Sequence, residues 1–148
     1  MPPRLFQCAH RVQYADCTLG NHVYHARYLE WLDEARGAFF RCIGAPLAEL
    51  QETGTLFVLV NYQLRYRAPA RYDDLLTIQV RPAALTRVRL VLDYRLHSAA
   101  GAILLEATAT YACTRLDGKP SRVPPTLALA LGPWLAPEGA GPAGGQPE

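Results

Sequence analysis

Tyr14-Ala-Asp-Cys-Thr-Leu-Gly-Asn-His-Val-Tyr-His-Ala-Arg-Tyr28 joins two stretches of different periodicity, and the change of period across it decides the fold. Before it, Phe6, Cys8, His10, Val12 and Tyr14 point one way while Gln7, Ala9, Arg11 and Gln13 point the other. That two-residue period is the pattern of a half-buried strand. From about Val23 onward, Leu29, Leu32, Ala35, Phe39 and Ile43 recur at steps of three and four, with Glu30, Asp33, Glu34 and Arg41 mostly off the stripe. The pattern predicts an amphipathic helix of roughly four to five turns. Its acids lie in the N-terminal half and Arg41 near the end, which suits the helix dipole. Gly44 and Pro46 stop it, and Leu47 to Glu52 can add a short helical turn before Gly54.

After Gly54 the chain reads as strands. Leu56 to Val60 is continuously apolar, which predicts cover on both faces. Tyr62, Leu64 and Tyr66 then alternate with Asn61, Gln63 and Arg65. Leu76, Ile78 and Val80 form a second inward row; Val88, Leu90, Leu92, Tyr94 and Leu96 form a third. Ile103, Leu105, Ala107, Ala109, Tyr111 and Cys113 form the last. Ala68-Pro-Ala-Arg-Tyr-Asp-Asp74 and Ala99-Ala-Gly101 are the turns between them. The order is therefore strand, long helix, four strands: an α+β class with an antiparallel sheet of about five strands. Its one apolar face has the helix stripe as natural partner. Residues 1–131 read as one domain, and 132–148 as a Gly/Pro/Ala-rich tail expected to be disordered.

Composition excludes several classes. The 148 residues carry 15 Lys plus Arg against 13 Asp plus Glu, a net charge of +2 without a basic stripe, so nucleic acid is not an expected partner. A chain of this length can bury roughly 68–70% of its unfolded surface, so a core forms without disulfides. No run reaches the roughly 18 apolar residues of a membrane span. Cys8, Cys17, Cys42 and Cys113 match no zinc spacing, and no metal is expected. The expectation is a cytoplasmic protein with free thiols, Cys8, Cys42 and Cys113 being buried.

Chemistry concentrates in the opening stretch. Asp16, Thr18, Asn21, His22 and His25 fall within ten residues, at the mouth of the helix. A helix N-terminus presents free N–H groups and partial positive charge to an oxyanion or polarised carbonyl. A carboxylate and an imidazole beside it supply acid and base. Each has a plainer reading too. Asp16 and Asn21 are ordinary turn residues, Thr18 a local capping hydroxyl, and His10, on the apolar strand face, a satisfied core histidine.

The run Asp16-Cys-Thr-Leu-Gly-Asn-His-Val-Tyr-His-Ala-Arg-Tyr-Leu29 resembles the signature of hotdog-fold thioesterases of the 4-hydroxybenzoyl-CoA thioesterase-like family. Ala68 to Asp74 and Asp117-Gly-Lys-Pro120 resemble later turns of that family, and the likeness spans about residues 5 to 125. It implies a sheet wrapped around one long central helix, and hydrolysis of an acyl-CoA to acid and CoA. It implies no cofactor beyond the CoA of the substrate. The family's catalytic aspartate falls on Thr18, a poor nucleophile without an adjacent base. Three repairs stay open: His22 as base for a water, Asp16 orienting or replacing the missing carboxylate, or His25 polarising the thioester. His22 or Asp16 as base, with Thr18 positioning water or substrate, is the favoured reading. Tyr14 lies where some members carry a functional tyrosine. The alternatives are an acyl carrier protein as thioester carrier, or a hotdog protein that binds acyl-CoA without turnover.

CoA phosphates call for arginine. Lys119 is the single lysine, against 14 arginines. The resemblance points to Arg87 and Arg89, before and along the fourth strand, as substrate-binding residues together with Tyr24. Arg65, Arg67 and Arg71 cluster near a turn. The resemblance also implies a homodimer or homotetramer with the acyl pocket between subunits. Val91 and Leu104, apolar on otherwise polar faces, are the residues that hint at cover.

Overall fold

The structure is a computed structural model and describes residues 4–135. Strand β1 (Phe6–Arg11) leads through a single 3-10 turn, Tyr14–Asp16, to helix α1 (Arg27–Cys42) and the short α2 (Leu47–Glu52). Strands β2 (Leu56–Tyr66), β3 (Leu75–Leu85), β4 (Arg89–His97) and β5 (Ile103–Thr114) follow, then α3 (Pro125–Leu131) and a 3-10 turn, Gly132–Trp134. The strands form one antiparallel sheet in the order β1-β3-β4-β5-β2.

Alternation places the inward rows as their spacing predicts except at two row ends, where Val88, ahead of β4, and Tyr66, at the end of β2, are exposed. Leu76, Ile78 and Val80 of β3, Leu90, Leu92, Tyr94 and Leu96 of β4, and Leu105, Ala109, Tyr111 and Cys113 of β5 are buried. They meet Tyr28, Trp31, Leu32, Ala35, Phe39 and Phe40 of α1. A sheet curled around one amphipathic helix is the hotdog architecture. Pro82 interrupts β3 at a register shift before Ala84, where a residue without an N–H costs the ladder least.

Four expectations are corrected. Leu56 to Val60 is not covered on both faces: β2 is a sheet edge, paired only with β5, and Val58, Leu59 and Val60 are 44%, 47% and 48% exposed. Tyr14 does not continue the inward face of β1. The chain leaves the strand at Arg11, and the 3-10 turn throws Tyr14 out, edge-on to Tyr72 and 81% exposed. The helix begins at Arg27 rather than near Val23, because Val23 bridges to Cys17 and the Tyr24 N–H donates to the Asp16 carbonyl. Of the cysteines expected inside, Cys113 is buried, Cys8 half-buried and Cys42 exposed near the end of α1; all four thiols are free.

Leu104 is buried and Val91 half-buried, though both lie on outward rows. Trp134 packs edge-on to Phe39 at 5.4 Å, with the Arg4 guanidinium 5.8 Å over its ring. Of the tail expected from residue 132, Gly132–Trp134 form a 3-10 turn rather than a disordered start, and residues 136–148 lie outside the described residues. No helix among the described residues is long and apolar enough to cross a membrane.

Candidate active site

The connection between β1 and α1 is a closed loop. The Thr18 N–H and hydroxyl both donate to the His22 carbonyl, at 2.7 and 3.1 Å. Gly20 and Asn21 take left-handed backbone, φ 80° and 60°, which turns the chain between them. Glycine does this freely and asparagine with little penalty. At Gly20 a Cβ would also sit 3.3 Å from the His22 ring. The Asn21 side-chain oxygen accepts from the Tyr72 N–H at 3.0 Å, tying the loop to the β2–β3 connection. At its base the Asp16 carboxylate accepts from the Gln13 N–H at 2.8 Å.

This geometry sorts the candidate residues. Asp16 is buried, 8% exposed, and its carboxylate closes the 3-10 turn. The Thr18 proton is committed to a backbone carbonyl, so the hydroxyl fastens the loop. His22, Tyr24 and His25 are exposed, with the Tyr24 and His25 rings 4.4 Å apart. The Tyr66 hydroxyl donates to the His25 carbonyl at 2.9 Å, and burial pushes its pKa up, so it stays protonated as a donor. The Tyr28 hydroxyl accepts from the buried Ala70 N–H at 3.0 Å, which holds the first turn of α1 against the β2–β3 connection. No side chain caps that turn: the N-cap residue is Ala26. The Arg27 and Leu29 N–H groups donate to the Tyr24 and Ala26 carbonyls, and the turn keeps the partial positive charge of a helix start.

Asp16 is brought together with His10, not with His22 or His25. The His10 Nε2 is 3.8 Å from an Asp16 carboxylate oxygen, and its Nδ1 is 3.7 Å from one of Glu34. The ring packs on Trp31 with centroids 4.5 Å apart. His10 is therefore not the satisfied core histidine its place in the alternation suggests: Nε2 is buried without a hydrogen-bond partner among the described residues. Both of its carboxylate neighbours come from other elements, so the periodicity of β1 carries no trace of them.

Arg87 and Arg89 are exposed at the start of β4, beside the Thr86 hydroxyl that accepts from the Arg89 N–H. Within the chain they do not reach the mouth of α1. That mouth lies at the Tyr66 end of β2, whereas Arg89 pairs with Ala112 at the opposite end of the sheet. Seven residues of strand, from Arg89 to Leu96, separate the two ends, about 23 Å at ~3.3 Å per residue. Of the arginines near the mouth, Arg67 is engaged by Glu106 at 2.9 Å, while Arg65 and Arg71 are exposed.

The thioesterase superfamily model matches residues 20–104 of this chain. The acyl-CoA thioester hydrolase YbgC of Escherichia coli is 32% identical over 128 residues, covering 86% of this chain and 96% of that protein. A probable thioesterase from Bartonella henselae is 31% identical and superposes with a TM-score of 0.75, over 82% of this chain and 100% of that one. A hypothetical protein from Aquifex aeolicus superposes with a TM-score of 0.81 at 25% identity, over 85% and 98% of the two chains. With a hotdog sheet around α1, and with the loop, the uncapped helix turn, His22 and His25 falling on or beside the matched segment, the chain belongs to the thioesterase superfamily.

Proposed function

We propose that the chain is an acyl-CoA thioesterase in which His22 is the base that activates water at the mouth of α1. The observation that carries the assignment to His22 is the division of labour in the loop. The Asp16 carboxylate is buried and accepts from the Gln13 N–H, and the Thr18 proton is held by a carbonyl. His22 stands exposed against Gly20, in the loop that leads into the uncapped helix turn. The imidazole takes a proton from water, the water oxygen bonds to the acyl carbon, and the C–S bond breaks. The imidazolium returns its proton to the departing thiolate, giving a carboxylic acid and CoA. Charge on the carbonyl oxygen in the transition state is met by the Tyr28 and His25 backbone N–H groups and the positive end of the helix dipole, the Arg27 and Leu29 N–H groups being held by the Tyr24 and Ala26 carbonyls. Thr18 holds the His22 carbonyl, and so the position of the ring. So written, the hydrolysis uses no cofactor beyond the substrate's CoA and no metal, and the cytoplasm, where acyl-CoA is made and used, is its setting.

A homodimer formed along β2 completes this reading. Antiparallel pairing of two β2 edges puts the start of one strand beside the end of the other. That carries Arg87 and Arg89 of one subunit towards the mouth of α1 in its partner. The exposed Val58, Leu59 and Val60 are the residues such pairing covers. Leu59→Lys places a charge in that seam and is expected to shift the protein from dimer to monomer in sedimentation, and to lower thiol release with it. A dimer that persists in Leu59→Lys rules this edge out.

The test of the activity is release of free thiol from short, medium and aromatic acyl-CoAs by purified protein, with the same acyl groups on acyl carrier protein in parallel. Turnover on CoA is the expected result. Faster turnover on the carrier protein reassigns the substrate. A folded protein that binds acyl-CoA and releases no thiol is a binding protein, not a hydrolase.

A further inference from the structure

His10 and its two carboxylates lie outside the hydrolytic roles assigned above. The ring sits between three elements: β1, which carries it; the 3-10 turn, which presents Asp16; and α1, which presents Glu34 and Trp31. Each ring nitrogen faces its own carboxylate, at 3.8 and 3.7 Å. Only the doubly protonated ring offers a proton to both; the neutral ring turns a lone pair towards one of them. The Asp16 carbonyl accepts from Tyr24, next to His25, so any shift of Asp16 moves the end of the loop that enters the helix.

We infer that His10 is a positioning residue: set between Asp16 of the loop and Glu34 of α1, it holds the loop over the helix mouth. The inference rests on the thioesterase reading for its effect on rate, but the placement of His10 between two carboxylates stands without it. A groove of about 430 Å³ between β1 and α1, lined by Cys8, His10, Trp31, Glu34 and Arg41 among others, opens beside the ring. The charged and titratable groups around it are Asp16 on the turn; Asp33, Glu34 and Arg41 on α1; and Cys8 on its own strand. The Cys8 thiol is pushed up by burial and by Glu34, so it contributes no charge. Across the ladder His10 meets only Leu76.

His10→Gln is expected to lower kcat about tenfold while KM changes little, the scale of a small misplacement of catalytic groups. Glu34 is exposed, so Glu34→Gln keeps the fold, and it is expected to lower kcat by a smaller factor than His10→Gln. Hydrogen exchange at the Thr18 and Tyr24 amides must quicken in His10→Gln. A kcat unchanged in His10→Gln, or exchange at those amides that stays at the parent rate, overturns the proposal. If no acyl-CoA is hydrolysed at all, the hydrolase reading fails, and the amide exchange still decides the role of His10.

Discussion

His22→Ala is expected to lower kcat by about 10²–10⁴-fold, the contribution of a positioned general base, while leaving the fold intact. The two halves of that expectation have separate grounds. The side chain is exposed and makes no hydrogen bond within the described residues, so its removal costs stability no more than about 0.5 kcal/mol. The backbone carbonyl of residue 22, which holds Thr18 twice, is kept by alanine, so the loop stays closed. KM is expected to stay within a few fold, because the imidazole acts on water rather than on the acyl group. Steady-state thiol release and a thermal melt, run on the same preparation, separate the two. Activity within about twofold of the parent protein would remove His22 from the chemistry and return the base to His25 or Asp16.

Phe39→Ala is expected to cost about 3–5 kcal/mol of stability, the usual range for deleting a buried phenylalanine. Phe39 is fully buried and is the point where three separate parts of the chain meet. Its ring contacts Phe6 of β1 at 5.6 Å, Phe40 of its own helix at 5.9 Å and Trp134 beyond α3 at 5.4 Å. Phe40 is also held by Phe57 at 5.9 Å and Trp134 by the Arg4 guanidinium over its ring, so neither fills the space without losing a contact of its own. Against a total stability of about 5–15 kcal/mol, the loss leaves a marginal protein, read as a large fall in the urea midpoint. A fall of less than about 1 kcal/mol would mean that the site collapses around the smaller side chain.

These two residues also mark what can be read from order in the chain and what cannot. Phe39 belongs to a stripe at steps of three and four, and that stripe, with the alternating rows of β3, β4 and β5, is enough to place the core and the layer architecture. Periodicity reports which face of an element is apolar. It does not report which strand ends at the edge of the sheet, so the apolar run Leu56 to Val60 reads like an interior strand although its β2 edge is open. Nor does it register a break in the backbone: Tyr14 keeps the beat of β1, but the 3-10 turn has already rotated it outward. The loop from Asp16 to His25 is legible as a site because its residue types are unusual together. The division of roles within it is not, since it depends on hydrogen bonds to backbone groups. His10 is the extreme case, with neighbours six residues ahead in a turn and two dozen ahead on a helix. Arg87 and Arg89 are legible as exposed charge, while their distance from the helix mouth follows from strand register alone.

The pairing of β1 with β3 and of β2 with β5 has a consequence for the chain as it is made. When α1 leaves the ribosome, none of the strands that will cover Leu32, Phe39 and Phe40 has been synthesised except β1, which has no strand beside it. Some seventy further residues must emerge before β5 can close the sheet, on the order of ten seconds at ~5–20 residues per second. During that interval the apolar stripe of α1 is bare on a nascent chain. Its folding is therefore bound to be late and all at once, governed by long-range closure rather than by local structure. Conditions that slow elongation between codons 42 and 114 lengthen the window in which chaperones are needed. Solubility of the newly made protein is then set by the timing of translation as much as by the stability of the finished fold.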